Sequence, residues 1–409
     1  MSSISIFSGS FCREGAVADA LVAKTGYQLV SDNDVVREAS ELSGIEPGKI
    51  GRAFSSKVSV FNKFTHERER AIAFMKLALA KKYLSDGCIY QGFCGLLIPK
   101  QVEHVLRVCL IADMKFRLSE AAKQDIAAGE AHRLVKTEDE KCAAWIKLLE
   151  GDQDPWNSAH YDITVPMDKD SVADAVELIG NYAGSRAVNY TPLTQRAADD
   201  FRFAAEVEVE LVKEGHNVGV DAHDGKVTLT INKQVLMLNR LEEELKEIVH
   251  RATGVEQVAI IIGEGFHQTD IYRRFDFKMP SKVLLVDDER EFVQTLSERL
   301  IMRDMGSTVA YDGESALAMV QEEDPEVMIL DLKMPGIDGI EVLRRVKNTR
   351  PGIEVIILTG HGSEADRKTC MDLGAFAYLQ KPVNIEQLSE TLKQANQKIL
   401  ERKSTDSVS

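Results

Sequence analysis

The chain has 409 residues, more than one ordinary hydrophobic core accommodates, and typical domain sizes predict three domains. Hydrophobic residues make up 44% and charged residues 28%, as in globular proteins, and no apolar run is long enough for a membrane span. The net charge of −15 argues against non-specific binding to nucleic acid or to an anionic membrane, because an acidic surface repels phosphate groups.

The N-terminus and the cysteines predict a cytoplasmic protein. Residues 1–9 have neither a basic start nor a small-residue cleavage site, so we expect no secretory signal. The six cysteines contain no CxxC pair, which favours reduced, buried thiols over disulfides or a zinc site.

The first part of the chain, residues 1–187, predicts an α/β domain. An apolar strand at 4–7 runs into a small and polar loop at 8–15 and then into a helix that ends near Gly26. This order of strand, loop and helix is typical of a phosphate-binding loop. Further strands are predicted at 88–91 and 106–111, and helices at 65–83 and 114–128.

A loop at 189–195 ends this part, and residues 193–265 predict a small α+β module. Its pattern reads helix, strand, strand, helix, strand, and Asp224-Gly225 supplies a hairpin turn. No convergent set of catalytic residues lies in the module, so we expect a packing or binding role. Its strands are predicted at 218–222, 227–231 and 258–262, and its second helix at 236–252.

The last part, residues 281–401, follows a linker at 275–281 and alternates strand and helix five times. Such alternation specifies a doubly wound parallel sheet, and polar residues just after its strands meet at the carboxyl edge. A polar tail at 402–409 is expected to be frayed. The strands are predicted at 282–286, 308–311, 327–330, 354–358 and 376–379, and the polar residues are Asp287, Asp288, Asp331, Thr359 and Lys381.

In order and position, these residues resemble the response-regulator receiver family over the whole of 281 to about 400. The resemblance implies a flavodoxin-like (βα)5 fold in which Asp331 accepts a phosphoryl group, and a cis peptide bond at Lys381-Pro382. It also implies a Mg²⁺ site of Asp287, Asp288, Asp331 and the backbone carbonyl of Lys333, phosphoryl contacts from Thr359 and Lys381, and Tyr378 as a switch residue.

The residue types suit this chemistry. Three carboxylates in one pocket repel one another and need a divalent cation to remain ionised together, and hard oxygen ligands suit Mg²⁺. Lys381 would add a fixed positive charge, and the Thr359 hydroxyl would donate to a phosphoryl oxygen. Taken alone, Asp287-Asp288 predicts a helix cap and Lys381-Pro382 a turn, so the whole ordered set carries the interpretation.

The first part resembles the cytidylate kinase-like family of P-loop phosphotransferases, in residues 4–15, 91–93, 112–117, Asp139, 154–155 and 161–162. The resemblance implies a nucleotide-binding loop of Ser8, Gly9, Ser10, Arg13 and Gly15. A working phosphate loop also needs a lysine and a hydroxyl, but Ala16 and Val17 follow Gly15 and leave Arg13 as the one nearby cation.

Two further positions depart from the kinase-like pattern, since Phe93 and Cys142 stand where that family has arginines. A missing arginine can cost on the order of 10³ or more in the rate of phosphoryl transfer. We therefore favour a retained scaffold or nucleotide sensor over an active enzyme, with Arg117 and Arg133 still able to bind a nucleotide without turnover. In the middle module, 224–229 and 254–258 resemble BON-type domains, which are associated with binding membranes or ligands, and we expect a spacer.

Together these features predict a cytoplasmic two-component response regulator that accepts a phosphoryl group on Asp331 with Mg²⁺ and transmits the change to its N-terminal kinase-like module. Its expected partners are a sensor histidine kinase or phosphotransfer protein, and a second copy through the receiver. No DNA-reading unit follows the receiver, so direct DNA binding is not expected. Two alternatives stay open, an active nucleotide or small-molecule kinase controlled by receiver phosphorylation, and a pure interaction scaffold.

Overall fold

The computed structural model describes residues 2–406 except 85–86, 186–187, 189, 236, 268–271, 273, 277–278 and 361. The chain forms two compact units. The first unit comprises Met1–Val58 and Glu67–Tyr272, and the second comprises Ser59–His66 and Arg273–Ser409.

The first unit contains a parallel sheet of five strands. These are β1 (Ser3–Ser8), β2 (Gln28–Ser31), β3 (Cys88–Gln91), β4 (Val105–Ile111) and β5 (Ile163–Pro166), in the order β2-β3-β1-β4-β5. Strand β1 is central, and its Ile4 and Ile6 are fully buried because helices cover both faces of a parallel sheet.

The helices up to residue 183 are α1 (Glu14–Thr25), α2 (Asp32–Ser43), α3 (Pro47–Gly51), α4 (Asn62–Thr65, in the second unit), α5 (Glu67–Ala78), α6 (Met114–Ala122), α7 (Ala128–Glu150) and α8 (Val172–Ala183). Helix α1 ends at Gly26, as predicted, because this glycine adopts a left-handed φ of 72° and its N–H donates to the Val22 carbonyl.

Two helix predictions in this unit are wrong in extent. The predicted helix 114–128 ends early, because α6 stops at Ala122 and α7 begins only at Ala128, and Asp125 between them has a φ of 60°. The predicted helix 65–83 begins at Glu67, after His66 with a φ of 49°, and α5 passes into a π-helical turn at Leu79–Tyr83.

A smaller sheet of three strands also lies in the first unit. Strands β6 (Gly219–His223) and β7 (Lys226–Ile231) are antiparallel, β8 (Gln257–Ile262) is parallel to β7, and the accompanying helices are α9 (Pro192–Lys213) and α10 (Leu238–Val249). The hairpin turn is at Asp224 and Gly225, both with positive φ, as the sequence predicts.

The loop predicted at 189–195 is wrong from Pro192 onward. Thr191 caps α9 by accepting from the Thr194 N–H, and Pro192 occupies the first helical position, where a missing N–H costs nothing. The predicted helix 236–252 is observed as α10, and residue 236 itself lies outside the described residues.

The second unit contains a parallel sheet of five strands in the order β10-β9-β11-β12-β13, which is the flavodoxin-like order. Its strands are β9 (Val283–Val286), β10 (Ser307–Ala310), β11 (Val327–Leu330), β12 (Glu354–Thr359) and β13 (Ala377–Gln380). Its further helices are α11 (Arg290–Ile301), α12 (Gly313–Glu322), α13 (Gly339–Thr349), α14 (Glu364–Asp372) and α15 (Ile385–Asp406).

Alternate residues of β9 enter cores on opposite faces of this sheet. Leu284 and Val286 belong to one apolar cluster, and Val283 and Leu285 belong to the other. A strand that is buried on both faces reads as an unbroken apolar run, which explains why the sequence revealed it. The predicted fold class, a multidomain α/β chain with a doubly wound C-terminal sheet, is confirmed.

The prediction of a frayed tail is wrong for residues 402–406, because α15 continues to Asp406. Arg402 donates to the carbonyl of Gly352 at 2.6 Å, and Lys403 forms an ion pair with Glu326. Residues 407–409 lie outside the described part of the chain.

All six cysteines are free and buried, as expected. Within the described residues, the structure has no helix whose length and apolar character would let it cross a bilayer.

Candidate functional site

Three carboxylates meet at the carboxyl edge of the second unit's sheet. Asp287 and Asp288 follow β9 and Asp331 follows β11, and one oxygen from each lies within 4.8 Å of the others. Asp287 is 4% exposed and Asp331 6% exposed, whereas Asp288 faces solvent. The parallel order of the strands therefore brings together side chains that are far apart in sequence.

Lys381 supplies the positive charge at this acidic pocket. It follows β13, its Nζ lies 2.6 Å from Asp287 Oδ2 and 4.0 Å from Asp331 Oδ2, and the Lys381–Pro382 peptide bond is cis. The ammonium also lies 4.4 Å from the centre of the Phe292 ring, a cation–π contact that the sequence did not predict.

One lysine does not neutralise the pocket. Burial raises the pKa of Asp287 above its ordinary value, and the nearby Asp331 carboxylate adds to the rise. The hydrogen bonds from Lys381 and from the Glu289 N–H act in the opposite direction. The ionised form of Asp287 is therefore held at a cost, as expected for carboxylates that share a pocket.

The donor set fits a divalent cation. Asp331 Oδ1 is buried and has no hydrogen-bond partner among the described residues, and leaving such an oxygen unsatisfied is unfavourable. A hard cation held by carboxylate oxygens would satisfy it. Lys333 is an exposed residue of the loop between β11 and α13, and the role of its carbonyl as a ligand stays a prediction.

Thr359 and Tyr378 lie together at the same edge of the sheet. Thr359 ends β12 and is 1% exposed, and Tyr378 lies on the neighbouring strand β13, where its register partner is Ile357. The Tyr378 hydroxyl is buried without a hydrogen-bond partner among the described residues. It lies over Gly362, where a Cβ would overlap the hydroxyl and would stand 3.1 Å from Thr359 Cγ2. The neighbouring residue 361 is outside the described part.

Comparison with known families agrees with this geometry. Residues 283–393 match the family described as response regulator receiver domain. The C-terminal part of this chain is a response regulator receiver domain. Residues 3–169 match the cytidylate kinase-like family. The resemblance of the middle module to BON-type domains stays a prediction.

Among curated proteins, the receiver domain is similar to transcriptional regulators and response regulators. It is 43% identical over 108 residues to the transcriptional regulatory protein CpxR of Klebsiella pneumoniae, covering 26% of this chain and 46% of that protein. It is 34% identical over 110 residues to the response regulator MprA of Mycolicibacterium vanbaalenii, covering 27% and 48%. This chain thus spans about half the length of these relatives.

Solved structures of receiver domains are also similar to this region. A CheY-like receiver domain protein from Methanospirillum hungatei is 28% identical, with a TM-score of 0.29, and the match covers 29% of this chain and 96% of that one. A receiver domain protein from Clostridium thermocellum is 34% identical, with a TM-score of 0.28 and coverage of 28% and 94%.

In the kinase-like domain, the predicted loop lies between β1 and α1 and is bound by an arginine from α6. Arg117 donates from Nε and from a terminal nitrogen to the Ser10 carbonyl and hydroxyl, each at 2.8 Å, and pairs with Asp139 at 2.7 Å. The sequence suggested that Arg13 is the one cation near the loop, and this prediction is wrong because Arg117 contacts the loop as well. The predicted nucleotide-binding residues here are Ser8, Gly9, Ser10, Arg13 and Gly15.

Arg13 is also paired with a carboxylate. Its guanidinium donates to Glu120 at 2.7 Å and lies 4.9 Å from the centre of the Phe116 ring. Hydrogen bonds from Arg13 and Lys123 lower the pKa of Glu120 to about 2. A phosphate that bound at this loop would therefore compete with Glu120 for Arg13 and with Asp139 for Arg117.

The positions where the family has arginines are apolar and packed. The Phe93 ring centre lies 5.6 Å from that of Phe7 and 5.3 Å from that of Phe54, and Cys142 is buried with a raised pKa. Arg133, the other predicted nucleotide contact, is exposed on α7. Phe93 is thus packed among aromatic side chains.

A half-buried acid beside the loop was not predicted. Glu14 opens α1, and burial together with the Asp32 carboxylate raises its pKa to about 7. Its Oε1 is buried without a hydrogen-bond partner among the described residues. An acid in the first turn of a helix is common in sequences, so nothing in the local pattern reveals its burial.

Proposed function

We propose that this chain is a cytoplasmic two-component response regulator that accepts a phosphoryl group on Asp331. The observation that carries the proposal is the carboxylate cluster, in which a buried oxygen of Asp331 has no hydrogen-bond partner among the described residues and Lys381 reaches two of the three acids. An arrangement that serves only stability would not gather three acids where the lysine pairs with two of them.

Asp287, Asp288, Asp331 and the Lys333 carbonyl would hold Mg²⁺. When bound, the cation would offset the charge of the incoming phosphoryl group. The chain's own residues do the rest. Asp331 is the nucleophile, and the Thr359 hydroxyl donates to a phosphoryl oxygen. Lys381 adds a positive charge that remains in the pocket after the Asp331 carboxylate has become an acyl phosphate.

The transfer balances with a phosphohistidine donor. The P–N bond of the donor breaks while a bond forms between phosphorus and an Asp331 oxygen, and the electron pair leaves with the imidazole, which takes up a proton. A sensor histidine kinase or a phosphotransfer protein is therefore the proposed partner. The other proposed partner is a second copy of this chain, bound through the receiver domain.

The proposed signal is electrostatic. By analogy with other phosphoresidues, the new group brings about −1.5 to −2 charges to the pocket, which draws Thr359 towards it. Tyr378, whose hydroxyl lies beside Thr359 over Gly362, then changes its packing. We propose that this change is transmitted to the kinase-like module.

A small phosphodonor tests the assignment. With acetyl phosphate and Mg²⁺, the wild type should be labelled and Asp331→Asn should not. The matched control is Asp338→Asn, because Asp338 is an exposed helix cap of the same domain and asparagine caps equally well. Equal labelling of wild type and Asp331→Asn would remove Asp331 as the phosphoacceptor.

For the kinase-like domain we propose a scaffold or nucleotide sensor rather than an active kinase. The paired states of Arg13 and Arg117 and the aromatic packing of Phe93 support this choice. In a coupled assay with ATP and CMP we expect no turnover, whereas turnover that is lost on Arg117→Ala would establish the kinase alternative. A nucleotide titration of the full chain separates a sensor from a scaffold.

A further inference from the structure

A short segment that is distant in sequence belongs with the receiver domain. Ser59–His66, which contains α4, falls in the second unit together with Arg273–Ser409. The segment lies within the stretch that matches the kinase-like family, although the first unit excludes it. The second unit therefore consists of the receiver, its preceding linker and these few residues.

Two contacts within the second unit hold the segment. The Val60 N–H donates to Glu323 Oε2 at 3.0 Å, across a sequence separation of 263 residues. Phe64 lies against Gly306, where a Cβ would stand only 2.7 Å from Phe64 Cγ. Since the backbone φ of Gly306 is not positive, the closeness of Phe64 and of the Ser281 carbonyl explains the absence of a side chain there.

Both contacts lie at the amino edge of the receiver sheet. Gly306 directly precedes β10, and Glu323 caps the C-terminus of α12, ahead of β11. Asp287 and Asp331 lie at the opposite ends of the strands. The bound segment consequently leaves the acidic pocket open to a phosphodonor.

We propose that Ser59–His66 is a built-in ligand of the receiver domain, bound at the amino edge of its sheet through the Val60 amide and the Phe64 ring. The receiver thus recognises a segment of its own chain at one edge and performs its chemistry at the other. This inference does not depend on phosphorylation of Asp331.

Hydrogen exchange of the full chain, read by mass spectrometry on peptides that cover 59–66, tests the proposal. In the wild type the Val60 amide should be protected. Glu323→Ala removes its acceptor and should speed exchange of this amide roughly tenfold, since a hydrogen bond to a charged group is lost. Glu322→Ala is the matched control, because Glu322 is an exposed acid one residue away at the end of the same helix, and it should change nothing.

Phe64→Ala gives a second readout on the other contact. It should speed exchange throughout 59–66 and also at the start of β10, while exchange in β12 stays as in the wild type. Full exchange of Val60 at the shortest labelling time in the wild type would overturn the proposal. So would equal effects of Glu322→Ala and Glu323→Ala, or slow exchange at 59–66 in both Glu323→Ala and Phe64→Ala.

Discussion

At the scale of single residues, the side chains of the acidic pocket lower the stability of the folded receiver domain. Three carboxylates lie close together, Lys381 pairs with only two of them, and the Asp331 Oδ1 atom has no hydrogen-bond partner among the described residues. Groups arranged in this way raise the free energy of the folded state until a ligand satisfies them. This loss of stability is expected if the pocket serves to bind a cation and to accept a phosphoryl group.

Neutralising Asp331 should therefore stabilise the receiver when no divalent cation is present. Asp331→Asn removes one of three like charges, so we expect a gain of about 1 kcal/mol in the free energy of unfolding without Mg²⁺. Mg²⁺ should stabilise the wild type and have little effect on the variant. The urea dependence of hydrogen exchange in β9 and β11 measures both effects. A variant that is less stable than the wild type without Mg²⁺ would contradict this account.

Glu14 predicts a pH dependence in the first unit. Its pKa rises from 4.5 to about 7 on folding, so below the lower value both states bind the proton and the group contributes nothing. As the pH rises through this window, the unfolded state loses its proton first. The free energy of unfolding therefore falls, by up to about 3 kcal/mol, and the decrease is complete above about pH 7.

Glu14→Gln should consequently be more stable than the wild type at about pH 8 and equal to it at about pH 4.5. The chain has two tryptophans, Trp145 and Trp156, both in the first unit, so tryptophan fluorescence during urea unfolding reports on that unit alone. Glu130→Gln, which changes an exposed acid in the first turn of α7, is the matched control. An advantage of Glu14→Gln that does not grow with pH would be inconsistent with a half-buried acid.

Sequence could predict the residues of the acidic pocket because each follows a recognisable strand. It could not predict that Phe292 packs on Lys381 or that Arg117 binds the Ser10 carbonyl. Such contacts join residues that are distant in sequence, and only the packed fold determines them.

At the scale of elements, the central strands were predicted to within a residue or two, and the edge strands of the first sheet were missed. Strands β9 and β11 are buried at every position, so they appear in the sequence as apolar runs. Strand β2 lies at an edge and buries one of four residues, and β5, at the other edge, buries two of four. Short, half-exposed strands leave a weak pattern, although β13, which also lies at an edge and buries none of its four residues, was predicted.

The packing of Tyr378 over the loop after β12 gives a prediction at this scale. A Cβ at Gly362 would overlap the Tyr378 hydroxyl, so Gly362→Ala should destabilise the receiver by about 1–3 kcal/mol through overpacking. Tyr378→Phe alone should be close to neutral, because the hydroxyl has no partner among the described residues.

The double variant decides whether this contact is the cause. Tyr378→Phe should recover part of the stability lost in Gly362→Ala, since it removes the atom closest to the new methyl group, while Tyr378 Cζ still stands 2.9 Å from it. A double-mutant cycle, with unfolding followed by hydrogen exchange in β13, gives the coupling energy. Additive effects of the two changes would show that Gly362 is needed for another reason.

At the scale of the whole molecule, a receiver domain follows a kinase-like domain in one chain. In the kinase-like domain, the arginines nearest the loop are paired with Asp139 and Glu120. A fold does not by itself establish an activity, so the function of each domain has to be argued from its own site. The receiver has its full set of reactive residue types, so the signal should start there.

If phosphorylation is transmitted, loading the receiver should alter the first unit. Beryllium trifluoride with Mg²⁺, a mimic of the phosphoryl group, should change hydrogen exchange in peptides of Glu67–Tyr272 in the wild type and leave Asp331→Asn unchanged. A change confined to the receiver would limit the response to that domain and would refute transmission to the kinase-like module.

Chemical localisation of the adduct tests the central claim most directly. After treatment with acetyl phosphate and Mg²⁺, borohydride reduces an aspartyl phosphate to homoserine, and peptide mass spectrometry identifies the position. We predict homoserine at position 331, dependent on Mg²⁺. Homoserine at Asp287 or Asp288 instead, or at no position under conditions that phosphorylate a control receiver, would contradict it.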